Sequence, residues 1–409
     1  MFKSLKASQW AAISILNLVI VASLGLLMRL KIVWELPWVD QRFTLHAHSH
    51  FAFSGWITQS LMLCIALAIL AKKNSGILPV RYNYLLVGNL FCSYGILISF
   101  FLQGYAPVSI AFSTLTIFIS IIFYIFCRKD MYAGDQHSVW WKYMHAAMLF
   151  NMLSALGTFS LAYTMATQPQ NTELRLASIY FYLHFQYNGW FLLACLGLFH
   201  YWLSLNNLAL KDSGNISRIL IACCIPSYLL SVNWMHFPNY LHAVSISVAL
   251  LQAGAWLILV NGILRIKGQL MAILPLKVLW LFSFVLLAGT IKFSLQTVSA
   301  HPDIATLACG LRPVVIAYLH LVLLGIISLF LIGWFYNQQV LTVRRTGKTG
   351  LIAFVAGVIC NEIFLMIQGI GSMSGIYIGG MPELLVFASV VMVTGLLFLF
   401  CSVHFTVKV

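Results

Sequence analysis

Three histidines alternate at the start of a long apolar stretch, where His46, His48 and His50 follow shortly after Arg42. On a helix, His46 and His50 share one face and His48 lies roughly opposite, because side chains four positions apart point the same way. Imidazole is costly in lipid and is a common metal ligand. The pattern indicates either a metal-ligating site at a membrane entrance or interfacial histidines bonded to headgroups and loops.

The composition is that of a membrane protein. Hydrophobic residues make up 61% of the 409 residues and charged residues 8%, whereas soluble domains are about 45–50% apolar and about 25% charged. The nine cysteines are scattered through apolar segments without a CxxC motif, which is typical of small packing residues. The first apolar run lacks a convincing cleavage site, so we expect a first span rather than a signal peptide.

Apolar runs of roughly 20 residues, long enough to cross a bilayer, recur along the whole chain. They predict an all-α membrane protein whose twelve transmembrane helices form a single bundle over residues 1–409. No soluble domain fits between the runs. The predicted spans are 9–28, 46–71, 82–103, 106–127, 141–167, 176–204, 217–236, 240–264, 272–295, 313–337, 349–371 and 384–407.

Lysine and arginine predict the orientation. If the N-terminus lies inside, 17 of the 23 basic residues fall on the inner side, as the positive-inside rule expects. Both termini are therefore predicted to be cytoplasmic, in a bacterial-type inner membrane. The net charge of +14 is mostly this topological signal. The lipid bilayer is thus the expected partner, and nucleic acid is not needed to explain the charge.

Further histidines fall at a similar depth on the predicted outer side. His184 lies in span 6, His320 lies in span 10, and His236 and His242 flank the connection between spans 7 and 8. At a rise of about 1.5 Å per residue, their depths differ by little more than two helical turns. This convergence, more than any one histidine, predicts a site in the outer half of the membrane.

Histidines on facing helices are suited to axial ligation of haem iron, and imidazole also binds copper and non-haem iron. We expect one of the span-2 histidines and His320 to hold one haem. A second metal, copper or non-haem iron, is expected near His184, His236 and His242. Cationic partners for haem propionates are also expected on the outer side.

Two arginines on the predicted outer side are candidates for that role. Arg42 and Arg312 are suited to bidentate pairing with propionates, or they are interfacial side chains that snorkel. Lys292, near the outer end of span 9, has the same two interpretations. Glu362 is the one carboxylate deep in a predicted span, which indicates either a proton relay or a neutral group bonded to a neighbouring helix.

Two segments resemble the catalytic subunit of haem–copper oxidases and nitric oxide reductases. These are His184-Phe-Gln-Tyr-Asn-Gly-Trp in span 6 and Tyr318-Leu-His-Leu-Val-Leu-Leu-Gly in span 10. The resemblance implies that His184 binds copper or non-haem iron and that His320 binds a low-spin haem. Tyr318 falls at the position of the high-spin haem ligand, and its alternative role is packing. The family's span-7 histidine pair falls near Leu230 and Ser231, which departs from the family pattern.

The span-2 stretch His46-Ala-His-Ser-His-Phe also resembles the His-x-His-Glu-Met opening of a twelve-span haem–copper membrane family linked to nitric oxide stress. Either resemblance implies one or two haems, b-type in the first instance. It also implies electron transfer from quinol or a cytochrome c-type subunit to a diatomic gas, O2 or NO. A reduced form of this hypothesis keeps only the low-spin haem and carries electrons or senses gas.

Two other classes of protein stay open from the sequence. A histidine-lined, proton-coupled metal-ion transporter would use the histidine cluster and Glu362, although no convincing internal repeat supports it. A structural assembly partner of a respiratory complex would bind no cofactor. Haem stoichiometry separates these classes from the first hypothesis.

Overall fold

The computed structural model describes residues 5–70, 78–131, 136–235 and 237–404. In chain order the helices are α1 (Ala7–Val33), α2 (Gln41–Leu70), α3 (Val80–Gln103), α4 (Pro107–Met131), α5 (Val139–Thr167), α6 (172–205), α7 (Ser213–Cys224), α8 (Tyr228–Ser231), α9 (Asn239–Arg265), α10 (Lys267–Ile273), α11 (Leu276–Val298), α12 (Pro302–Gly310), α13 (Arg312–Asn337), α14 (Arg345–Met373) and α15 (Met381–Cys401). Within the described residues, ten of these are long and apolar enough to cross a membrane. The chain is therefore an all-α membrane protein, as its sequence predicts.

The sixth and seventh predicted spans account for the difference between ten and twelve. Span 6 is helical over 172–205 but carries polar residues around His184, which lower its hydropathy. The expected uninterrupted helix over 217–236 is wrong: α7 ends at Cys224, and α8 covers only Tyr228–Ser231. Pro226 lies between them and cannot donate a helical hydrogen bond, which explains the break.

The chain divides into two compact units, Met1–Cys127 with Leu331–Val409, and Arg128–Phe330. In the first unit, α14 packs along α15, and α1 packs against α15 and α2. A Cβ added at Gly350 would lie 2.5 Å from the Gly395 carbonyl oxygen, and one at Gly395 would lie 2.5 Å from the Phe354 nitrogen. Glycine thus sets the close approach of α14 and α15. A short antiparallel pair, β1 (Thr342–Val343) and β2 (Val403–His404), joins their ends.

In the second unit, α5 packs along α6. A Cβ added at Gly157 would lie 2.7 Å from the Tyr182 nitrogen, so these helices also meet at van der Waals distance. The Gln186 side chain donates to Asn151 (2.9 Å) and Ser154 (2.7 Å) across the same contact. This packing buries the polar face of α6.

Candidate functional site

Three π-helical segments lie in the described part of the chain, and each begins beside a candidate histidine. They cover Ala52–Thr58 in α2, Phe185–Phe191 in α6 and Leu321–Ser328 in α13. At each end an N–H bonds to the carbonyl five positions earlier, as from Leu192 to Tyr187. Such segments inside α-helices are frequent at functional sites.

A glycine lies five positions after the histidine in each of these segments. The pairs are His50 and Gly55, His184 and Gly189, and His320 and Gly325. A Cβ at Gly189 would lie 2.6 Å from the Phe150 Cβ, so this wide turn packs tightly on its neighbour. The spacing is visible in the sequence, and the sequence reasoning missed it.

Buried amides support the wide turn of α2. Asn17 on α1 donates to the Gly55 carbonyl, and Asn89 on α3 donates to the Ser54 carbonyl at 3.1 Å. Both asparagines are 0% exposed. Because a π-helical turn displaces backbone carbonyls from the regular ladder, these side chains satisfy groups that lipid cannot. Side chains of neighbouring helices therefore stabilise the π-helical turn of α2 in the first unit.

The span-2 histidines divide between two faces, as their spacing predicts. The rings of His46 and His50 lie 6.4 Å apart, and both contact Tyr105. His48 points instead to α1, where its Nδ1 donates to the Val21 carbonyl at 3.0 Å. The three histidines therefore lie in two different environments.

The His48 ring has the arrangement expected of an axial ligand. Its Nδ1 is committed to a backbone carbonyl, a bond that fixes the tautomer and leaves Nε2 as the nitrogen with a lone pair. Gly25 on α1 faces the ring, and a Cβ there would lie 3.3 Å from the His48 Cε1. Glycine thus gives the imidazole the room it occupies. The donor chemistry of His48 fits haem iron.

A polar chain lies in the same unit. Arg29 donates to the Asn361 side-chain oxygen at 3.0 Å, and Asn361 donates to a Glu362 oxygen at 3.0 Å. Arg29 and Glu362 lie close enough for an electrostatic interaction. Asn361 is 0% exposed, so the chain lies within the helix packing. Glu362 has a cationic partner, an arrangement that the sequence interpretations of this residue did not include.

Both arginine candidates for the propionates lie at helix starts. Arg42 occupies the first turn of α2, and Arg312 is the first residue of α13; both side chains are exposed. His320 on α13 is half-buried, and its Nδ1 donates to the Ile316 carbonyl at 2.8 Å. This bond to the preceding turn orients the His320 ring as the Val21 carbonyl orients His48. The Tyr318 ring meets the Tyr187 ring edge-on at 6.0 Å between centroids.

His184 lies in a different environment, in the second unit. Its Nε2 donates to the Cys224 carbonyl at 2.8 Å, and its Nδ1 accepts from Ser231 and Asn188, each at 3.2 Å. The side chain is 1% exposed. Both ring nitrogens are therefore engaged within the protein. The break between α7 and α8 brings the Cys224 carbonyl and Ser231 to the ring.

A buried lysine lies at the end of a chain of amides in the same unit. Lys292 donates to Gln296 at 2.7 Å, Gln296 donates to Gln252 at 2.6 Å, and Gln252 donates to Ser227 at 3.3 Å. The Lys292 side chain is 1% exposed and lies 3.9 Å from the Phe293 ring centroid. Snorkelling of Lys292 is therefore wrong. The sequence reasoning missed Gln252 and Gln296, because each is an isolated polar residue in an apolar helix.

The residues around His184 do not fit a second metal. Ser231 bonds to the His184 Nδ1, and the Cys224 carbonyl accepts from its Nε2. His242 donates to Asn233 at 2.7 Å, and His236 lies outside the described residues. Among the residues that the structure describes, no three His, Cys, Asp or Glu side chains converge on one point. The donor set at His184 is that of a hydrogen-bonded core.

Comparison of the chain with models of protein families gives no match, and comparison with curated proteins gives none either.

Proposed function

We propose that the protein is a haem-binding, electron-transferring membrane protein, a divergent relative of the oxidase and nitric oxide reductase subunit that lacks the second metal. The observation that carries this proposal is the state of the His48 ring. His48 commits Nδ1 to a backbone carbonyl, which makes Nε2 the nitrogen for haem iron. His320 as a haem ligand is what the sequence resemblance alone implies.

When bound, the haem supplies one-electron redox chemistry. The chain supplies its orientation: the Val21 carbonyl fixes the His48 tautomer, and Gly25 leaves the space for the ring. Arg42 and Arg312 are proposed to pair with the propionates, since both side chains are exposed at helix starts and arginine binds carboxylates through two parallel bonds. Arg29 is not proposed for that role, because its side chain donates to Asn361.

The same reasoning favours the reduced form of the family hypothesis. Because His184 is held by Cys224, Ser231 and Asn188, we propose electron transfer or gas sensing at one haem rather than turnover of O2 or NO at two metals. Quinol or a cytochrome c-type subunit is the proposed electron donor. Tyr318 and Glu362 are not proposed as catalytic residues.

The proposal also includes the number of membrane spans and their orientation, which the ten apolar helices alone do not give. We propose twelve spans, with α6 and the broken α7–α8 segment as the additional two, in a bacterial-type inner membrane. The positive-inside count of 17 among 23 basic residues supports cytoplasmic termini. Cysteine accessibility at each terminus in sealed vesicles tests this orientation.

The function is tested on detergent-purified full-length protein by a reduced-minus-oxidised spectrum, pyridine haemochrome quantification and metal analysis. We expect one haem per chain, no spectral shift on carbon monoxide addition, and no copper or non-haem iron that is lost in His184→Ala. Two haems, or one that binds carbon monoxide beside a second metal, would restore the complete reductase hypothesis. Absence of haem under conditions that load a control cytochrome would contradict the proposal and favour metal-ion transport.

A further inference from the structure

The face of α2 opposite His48 carries an aromatic cluster that the haem proposal does not use. It consists of His46, His50, Phe100 and Tyr105. His50 stacks on Phe100 at 4.4 Å with an interplanar angle of 8°, and its Nε2 lies 2.9 Å from the Tyr105 hydroxyl. His46 meets Tyr105 edge-on at 4.6 Å between ring centroids. Two imidazoles and a phenol thus converge in the first unit.

One atom in this cluster has no partner. The His46 Nε2 is buried, and it makes no hydrogen bond with any residue that the structure describes. A buried nitrogen without a partner is unfavourable, so a ligand bound at this atom would stabilise the cluster. A lipid headgroup does not satisfy it, because the atom has no access to the surface. The His50 nitrogen and the Tyr105 oxygen, by contrast, bond to each other.

We propose that His46, His50 and Tyr105 bind one divalent transition-metal ion, independently of the haem. Histidines four residues apart on a helix point to the same side, and imidazole is suited to Zn²⁺ and Cu²⁺. Metal–nitrogen bonds of about 2.0–2.1 Å give a donor–donor edge of about 3.3 Å in a tetrahedral site. The 2.9 Å between the His50 Nε2 and the Tyr105 oxygen is close to that edge. The unpartnered His46 Nε2 is the proposed third donor.

Charged side chains near the cluster affect its affinity for a cation. The charges of Arg42 and Asp40 both interact with His46, and their electrostatic effects on it oppose each other. Burial raises the pKa of the Tyr105 phenol to about 12, and Arg42 opposes that rise. The phenol is therefore protonated in the metal-free protein. On binding, the metal replaces that proton, which is released to solvent, and the phenolate becomes the third donor.

The test uses full-length protein, stripped with chelator and titrated with Cu²⁺. We expect one Cu²⁺ per chain, nitrogen hyperfine coupling from two imidazoles in the electron paramagnetic resonance spectrum, and a phenolate-to-copper absorption band. Binding is expected to weaken as the pH is lowered, because protons compete with the metal for the imidazole nitrogens. A saturated protein without nitrogen coupling, or no binding at all, would overturn the site.

Variants assign the ligands. His46→Asn and His50→Asn are expected to lower the Cu²⁺ affinity at least about 100-fold, and Tyr105→Phe about 10-fold with loss of the absorption band. His242→Asn is the matched control, because this half-buried histidine bonds to Asn233 elsewhere, and it should leave the affinity unchanged. Unchanged binding in either His46→Asn or His50→Asn would contradict the proposal.

Haem content in the same preparations separates this proposal from the preceding one. We expect both asparagine variants to keep their haem, which also shows that they fold. If either variant loses haem while the wild type binds no Cu²⁺, the pair ligates haem and the metal site is wrong. If Cu²⁺ binds as described and the protein has no haem, the haem proposal fails and the metal site stands.

Discussion

His48 and His184 are two histidines on helices with π-helical turns, and their environments differ. The His48 ring makes one protein bond, to the Val21 carbonyl, whereas the His184 ring uses both nitrogens, on Cys224, Ser231 and Asn188. An imidazole with one nitrogen in a hydrogen bond can offer the other nitrogen to a ligand. An imidazole with both nitrogens in hydrogen bonds is typical of a structural role. Two histidines near π-helical turns thus differ in the number of ring nitrogens that bond within the protein.

The surroundings of the two rings extend the contrast. Gly25 leaves space at His48, while the chain from Lys292 through Gln296 and Gln252 fills the region of His184 with donors and a cation. A buried lysine, Lys292, does not favour a divalent ion nearby, and the Ser231 hydroxyl is a weaker metal ligand than imidazole. This contrast is the basis for proposing a haem at His48 and no metal at His184.

The largest expected effect is on haem binding without any change to a histidine. Gly25→Leu would force a side chain into the space of the His48 ring, because even a Cβ there lies 3.3 Å from its Cε1. We expect haem content to fall at least about tenfold, measured by pyridine haemochrome. Gly254→Leu is the control, since a Cβ at Gly254 meets nothing within 4 Å. Equal haem in the two variants would show that His48 is not at the haem.

The next effect is on stability at His184. His184→Ala leaves the Cys224 carbonyl, Ser231 and Asn188 without their partner, and we expect the free energy of unfolding to fall by about 2–4 kcal/mol. Haem content should be unchanged. Denaturant titration in detergent measures the first quantity and the optical spectrum the second. A variant of normal stability that has lost copper or iron would identify His184 as a metal ligand after all.

A smaller loss is expected at the wide turn of α6. Gly189→Ala places a Cβ 2.6 Å from the Phe150 Cβ, and overpacking of this kind costs about 1–3 kcal/mol. Adding Phe150→Ala should recover part of that loss, which a double-mutant cycle quantifies. Losses that simply add would mean that α6 does not touch Phe150 at this turn.

The smallest effect concerns the charges in the first unit. Arg29 and Glu362 attract each other through a shared contact with Asn361, so Arg29→Gln and Glu362→Gln should be coupled by about 1 kcal/mol in unfolding free energy. Arg42→Gln, a change to an exposed arginine, should show no coupling with Glu362→Gln. Coupling of equal size in both pairs would indicate a general charge effect.

Much of the fold follows from apolar run lengths, which located all ten of the described helices that are long and apolar enough to cross a membrane. The break between α7 and α8 had a local signal in Pro226, and the π-helical turns had one in the glycine five residues after each histidine. The Lys292–Gln296–Gln252 chain had none, because its members lie on two apolar helices and meet only in the fold. Likewise, whether a histidine is free or bonded is decided by neighbours distant in sequence, such as Cys224 for His184.

The most direct test compares His48→Ala with His184→Ala, each purified as full-length protein and assayed for haem per chain. We predict that His48→Ala loses nearly all haem, at least about tenfold, whereas His184→Ala keeps one haem with an unshifted spectrum. Thermal unfolding of both variants confirms that each is folded. Full haem in His48→Ala, or haem lost only in His184→Ala, would contradict the assignment of the redox site to His48.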